Sequence, residues 1–202
     1  SGSYIKGEID KFTGVNAGTY TALQETLTDA DVDSIIADMR DGYAMLTGGL
    51  LGSLRSVTTR TSDPGDTIAV DAEPGAIVVT RQVGLEDSAN FWGYARWSTT
   101  ADGEVTRGFI ILDRDFEQSA SLYHRSLRMH ELGHTLGCQH VTATASVMDQ
   151  NAQTEPNDFD RSAARIAHLR PVGNRAPDID PASHAATTAA RTTLPQKWHG
   201  AH

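Results

Sequence analysis

Residues 130–140 read His-Glu-Leu-Gly-His-Thr-Leu-Gly-Cys-Gln-His, an H-E-x-x-H-x-x-G-x-x-H pattern that dictates much of the fold around it. His130 and His134 are four residues apart. On an α-helix their rings leave one face, separated by about 6 Å along the axis. Two imidazoles so placed can share one Zn²⁺. Glu131 then lies beside the ion rather than on it, placed to accept a proton from a metal-activated water. If the helix ran on, His140 would sit roughly 9 Å beyond His134, out of reach of the same ion. The chain must therefore turn sharply, and Gly137 adopts the left-handed, helix-ending conformation at the least cost. Three neutral histidines leave a fourth tetrahedral position open, the layout of a catalytic zinc rather than a closed structural one.

The pattern resembles that of the metzincins, a clan of zinc endopeptidases. The resemblance implies a methionine-containing turn beneath the metal, downstream of the third histidine. Met148, within Ser146-Val147-Met148-Asp149, is the candidate. Some metzincins place a tyrosine two residues after that methionine as a further contact to zinc or to the transition state. Here the position holds Gln150, so that role has no holder.

The 202 residues suffice for one domain with a sizeable core. A formal net charge of −9 argues against nucleic acid or an anionic membrane as partner. Apolar runs such as 109–112 are far too short to span a bilayer. No secretory leader is visible, and Ser1-Gly2-Ser3 reads as a processed or trimmed start. The single cysteine, Cys138, excludes an intrachain disulfide. It reads as a small packed residue rather than a fourth ligand.

Residues 1–27 offer a first strand at Tyr4–Ile9 or a pro-segment remnant, in which Asp10 is a conceivable metal blocker. Thr28 to about Leu46 is a helix, with Thr28 and Asp31 as its capping box. Val32, Ile35, Ile36, Met39, Tyr43 and Leu46 form its core face, and Gly48-Gly49 its end. Strands are expected over Leu54–Thr61, Thr67–Val70 and Ala76–Val83. Asp63-Pro64-Gly65-Asp66 reads as a turn rather than a calcium site. Ile77-Val78-Val79, apolar at successive positions, suits a central strand covered on both faces. Trp92–Ser98 and Val105–Leu112 read as a hairpin joined at Thr100–Gly103.

This order of a helix, strands and a strand pair before the zinc helix resembles the matrixin-like metzincins. The resemblance makes Gly93, Tyr94, Ala95 and Arg96 the edge strand above the cleft. Its free backbone groups would pair with an extended peptide, almost blind to side chains. Matrixin-like enzymes also bind structural calcium, and Asp113, Asp115 and Glu117, at alternate positions, can converge on a hard cation. A solvated acidic loop capping the next helix is the simpler reading. A helix from about Ser119 to Leu136, capped by Ser119 or Ser121, carries the first two ligands. Its Arg125 and Arg128 are expected on the outer face, and His124 away from the metal. Asp158 or Asp160 caps a last helix to about Leu169, packed through Phe159, Ala163, Ile166, Ala167 and Leu169 and stopped by Pro171. Residues 171–202, rich in Pro, Ala and Thr, read as a flexible tail.

The expected fold is α/β (α+β) and metzincin-like, over residues 28–170. A twisted mixed sheet lies above an active-site helix, with a small C-terminal subdomain holding the methionine turn and a last helix. The resemblance implies a monomeric, extracellular zinc endopeptidase. His130, His134 and His140 hold the metal, Glu131 is the general base, and protein or peptide is the substrate. A weak or inactive zinc-containing peptide-binding module is the alternative. A zinc-dependent amidase acting on a small molecule also stays open, because the motif does not fix substrate size.

Overall fold

A computed structural model describes residues 2–9, 19–21, 27–55, 57–61, 67–69, 73–83, 91–101, 103–142, 144–151, 154–169 and 192–197. Helix α1 spans Asp29–Leu46. The capping box closes although its carboxylate is only an aspartate. Thr28 Oγ accepts from the Asp31 amide at 3.2 Å, and Asp31 accepts from the Thr28 amide at 2.9 Å. At the other end Gly48 (φ 60°) starts a Schellman turn. Its amide donates to Met45 O, and that of Gly49 to Ala44 O.

The strands are β1 (Gly2–Ile9), β2 (Thr19–Thr21), β3 (Val57–Thr61), β4 (Thr67–Ala69), β5 (Ile77–Gln82), β6 (Gly93–Thr99), β7 (Val105–Asp113) and β8 (Thr192–Lys197). Six of them form one mixed sheet in the order β3-β1-β5-β7-β6-β8. β1, β3, β5 and β7 pair in parallel, whereas β6 runs antiparallel to β7. β5 is therefore central, as its run of apolar residues requires. β4 pairs instead with β2, outside the main sheet. The aspartates at 63 and 66, Asp10 and Asp102 lie outside the described residues.

Strand alternation sets the two faces of the sheet. Val79, Ala95, Ile110 and Leu112 point towards α1 and helix α3 (His124–Thr135), where Ile35, Met39, Leu127 and Leu132 join them in one core. The other face buries Val78, Tyr94, Phe109 and Ile111.

Several expectations are corrected. The helix expected from about Ser119 begins only at His124, after a short helix α2 (Arg114–Glu117). Ser119 Oγ accepts from the Ser121 amide and Ser121 Oγ from the Tyr123 amide. These local turns compete with helix formation. Arg128 does not face outward but is buried between acids on α1 and α2. Arg125 stays half-exposed and bridges Asp38, Asp41 and Glu155. The last helix, α4 (Asp158–Leu169), is capped by Asn157, whose Oδ1 accepts from the Phe159 amide. Its expected packing face is turned outward, leaving Phe159, Ile166 and Leu169 exposed. Asp160, drawn into bonds with Ser146 and Val147, rolls the helix so that Asp160 and Ala164 face inward.

The segment expected to be a flexible tail also contributes β8, paired antiparallel with β6. Its low apolar content argued against packing, but a strand added at a sheet edge is held by backbone bonds. Trp198 and His199 lie outside the described residues. No described helix is long and apolar enough to cross a membrane.

Candidate active site

Helix α3 presents His130 and His134 on one face, and the turn after it returns His140 to them. That turn is a Schellman motif around Gly137 (φ 93°). The Cys138 amide donates to Gly133 O and the Gly137 amide to His134 O. The three Nε2 atoms stand 3.0, 3.2 and 3.2 Å apart. Each of two rings has its Nδ1 against a carbonyl, His130 at Val147 O (2.7 Å) and His134 at Cys138 O (2.9 Å). A carbonyl can only accept, so both Nδ1 atoms carry the proton and both Nε2 atoms present lone pairs. Lone pairs converging at 3 Å repel unless a cation lies between them. A zinc ion with Zn–N bonds of about 2.0–2.1 Å sets neighbouring nitrogens about 3.3 Å apart in a tetrahedron, close to what is seen. The donor set therefore fits zinc.

Burial keeps both rings neutral, as ligands must be. The His130 ring is held well below the usual histidine range by burial and by His134. His134 is pushed down to about 4, chiefly by burial and also by His140, against the pull of the Cys138 carbonyl. The Cys138 thiol goes the other way, up to about 11 through burial and the Asp160 charge. It is thus a neutral packed group beside Val147 and Met148, as expected.

Glu131 is fully buried, and neither carboxyl oxygen has a hydrogen-bond partner among the described residues. Burial raises its carboxyl well above the usual carboxylate range. The carboxyl lies against β6. A Cβ built on Gly93 would come within 2.6 Å of Glu131 Oε1 and 2.9 Å of its Cγ. Gly93 was expected only as part of a peptide-binding edge. Its missing side chain is also what leaves room for Glu131. Gly93→Ala is therefore expected to displace the carboxylate while leaving the histidines alone. A misplacement of this order lowers kcat by roughly 10²-fold. Zinc content and turnover measured on the same preparation check it, and an unchanged kcat would refute the crowding.

Residues 146–148 pack against the ligand helix. Met148 lies with its sulfur against Gly133, where a Cβ would approach to within 2.3 Å. Asp160 ties this turn to α4, accepting from Ser146 Oγ (2.5 Å), Val147 N (3.2 Å) and Asn157 N (2.9 Å). Val147 in turn offers its carbonyl to His130. Sequence reasoning missed this support. Asp160 looked like a cap because aspartate in a first helical turn usually is one. Trp97 was missed as well. Its ring stacks on His134, 5.9 Å between centroids and 4° between planes. On β6 it is four residues beyond Gly93, on the same face of the strand.

Gly93, Tyr94, Ala95 and Arg96 lie on β6, but β6 is not the free edge expected of it, because β7 pairs with it on one side and β8, by backbone bonds, on the other. The three carboxylates considered for calcium are spent separately. Asp113 caps α2 through the Phe116 amide (2.7 Å), Asp115 pairs with Arg114 (2.8 Å) and Glu117 with Arg128. Among the described residues the one cluster able to hold a metal is His130, His134 and His140. His124 faces elsewhere, with its Nε2 at 2.8 Å from Phe116 O.

A family model described as matrixin matches residues 56–169, more than half of the chain. The chain belongs to the matrixin family. The match runs from just before β3 to the end of α4 and so takes in the hairpin β6–β7, the ligand helix and the turn at Met148. No curated protein matches the chain. Matrixin membership and the three-histidine cluster together support a zinc metalloprotease.

Proposed function

We propose that this matrixin is a zinc-dependent endopeptidase that hydrolyses internal peptide bonds of proteins or peptides. The observation that carries the reading is the convergence of three histidine Nε2 atoms beside a buried carboxyl that has no hydrogen-bond partner among the described residues. His130, His134 and His140 would hold the ion, with Met148 as the methionine beneath it. When bound, zinc supplies a Lewis acid that polarises the scissile carbonyl and acidifies a water. Glu131 takes the proton of that water onto its carboxylate while the water oxygen attacks the carbonyl carbon. As the C–N bond breaks, Glu131 passes the proton to the departing amine nitrogen. Gly93–Arg96 would hold the substrate backbone through ladder hydrogen bonds.

The inactive binding module is not favoured. A buried carboxyl without a partner is destabilising, and a shell that merely holds zinc gains nothing from it. Asp113, Asp115 and Glu117 are engaged with other groups, so the reading gives calcium no role there. Matrixin membership supports action outside the cell as part of the same proposal.

The test is cleavage of a mixed, unfolded protein substrate by the zinc-loaded chain, by the chain stripped with a chelator, and by the stripped chain resupplied with zinc. Cleavage should be present, absent and restored in turn, with one zinc per chain when active. A chain that holds zinc yet leaves every protein and peptide uncut would defeat the endopeptidase reading.

A further inference from the structure

Strand β6, expected to be the free edge above the cleft, carries a further strand on its outer side. β8 pairs with it antiparallel, in the register Tyr94↔Lys197, Ala95↔Gln196, Arg96↔Pro195, Trp97↔Leu194, Ser98↔Thr193 and Thr99↔Thr192. The part of β6 so covered runs past the reacting groups, because Gly93 abuts Glu131 and Trp97 stacks on His134. Leu194–Lys197 therefore occupies the backbone ladder opposite Tyr94–Trp97 that an incoming extended peptide would need. A ladder edge accepts one strand at a time. We propose that Thr192–Lys197 is a built-in competitor for peptide substrate, so that the chain's own C-terminal strand holds the enzyme in check. This rests on the endopeptidase reading above and on β6 as its substrate edge.

Residues 170–191 join α4 to β8, a stretch of about 20 residues that can span up to roughly 70 Å. Tethering at such a length gives an effective concentration near the millimolar range. A segment that would bind only weakly as a free peptide then competes well. Pro195 fits a segment held at an edge and not built into the sheet interior, since proline lacks the amide that a central strand must donate.

The decisive comparison is the full chain against a chain ending at residue 191, both zinc-loaded, with a quenched-fluorescence peptide as substrate and hydrogen exchange as a second readout. Removal of β8 should lower KM by about tenfold at unchanged kcat, the loss of a tethered competitor. The amides of Gly93–Thr99 should exchange faster. The free peptide Thr192–Lys197, added at millimolar concentration, should inhibit the shortened chain competitively. A full-length chain carrying Leu194→Pro and Gln196→Pro, which removes two backbone donors without shortening the protein, should behave like the shortened one. This also separates the effect from misfolding. Unchanged KM in both variants would overturn the proposal, as would β6 amides that stay equally protected. Absence of turnover in every form, with zinc bound and β6 exchange accelerated, would instead locate the failure in the endopeptidase reading and remove the inhibition with it.

Discussion

Glu131→Gln is expected to lose about 10²–10⁴-fold in kcat, the usual contribution of a positioned general base. It should keep its zinc and lose no stability. Glutamine has the shape of glutamate and fills the same space against Gly93, so the packing in which Glu131 sits is preserved. It cannot accept the water proton and return it to the amine. The stability part follows from burial. The Glu131 side chain has 0% exposure and no hydrogen-bond partner for either oxygen among the described residues. Folding must strip that group of water without compensation. A neutral amide is less costly to bury than a carboxylate, so the metal-free variant should unfold at the same or a higher denaturant concentration. Activity and stability thus move in opposite directions, which marks a group kept for chemistry rather than for folding. Zinc content, kcat and a urea midpoint on the same protein check all three. A variant that retains more than about a tenth of kcat would remove Glu131 from the base role, given the size of effect expected of one.

How much of this was legible in the sequence follows from what each feature depends on. The ligand helix, the turn at Gly137 and the returning His140 are set by short-range geometry, and all three were readable from eleven residues. Helix α1 was readable for the same reason, down to its capping box. The strands β5, β6 and β7 were placed to within a residue or two because alternation and turn residues bound them. Failures came where one distant side chain outweighed local pattern. The apolar stripe Phe159–Ile166–Leu169 has the spacing of a buried face, but the bonds of Asp160 to Ser146 and Val147 turn it to the outside. Arg128, expected on the outer face of its helix, is buried instead. No periodicity reveals that Asp38 and Glu117, 90 and 11 residues away, would close around it. The β8 pairing was invisible because it uses backbone, which every sequence has.

Arg128 also carries the largest expected change in stability. Its guanidinium spans three elements. Nη1 donates to Asp38 (2.7 Å) and Ser34 (2.9 Å) on α1, and Nε donates to both oxygens of Glu117 on α2 (3.1 and 3.0 Å), with Nη2 adding a further bond to Glu117. The Arg128 and Glu117 side chains are only 8% and 1% exposed. Removing one partner from such a buried pair strands the other charge, at a cost of about 3–5 kcal/mol. Arg128→Ala should lose that much, about a fifth or more of the roughly 5–15 kcal/mol that holds a typical domain together. Asp38 retains Arg125 at 2.7 Å, so most of the loss should trace to Glu117. The paired change Arg128→Met with Glu117→Leu tests this. Replacing a buried ion pair by apolar groups of similar volume is often neutral or better, so the double variant should recover most of the loss. Urea unfolding of the wild type, Arg128→Met, Glu117→Leu and the double variant closes the cycle, with Arg128→Ala measured beside them. The network also touches function, since Arg128 lies two residues before His130 on α3 and fixes that helix against α1. Zinc affinity should therefore fall in Arg128→Ala and return in the double variant. If the double variant is as unstable as Arg128→Ala, the loss comes from side-chain packing and not from the stranded carboxylate.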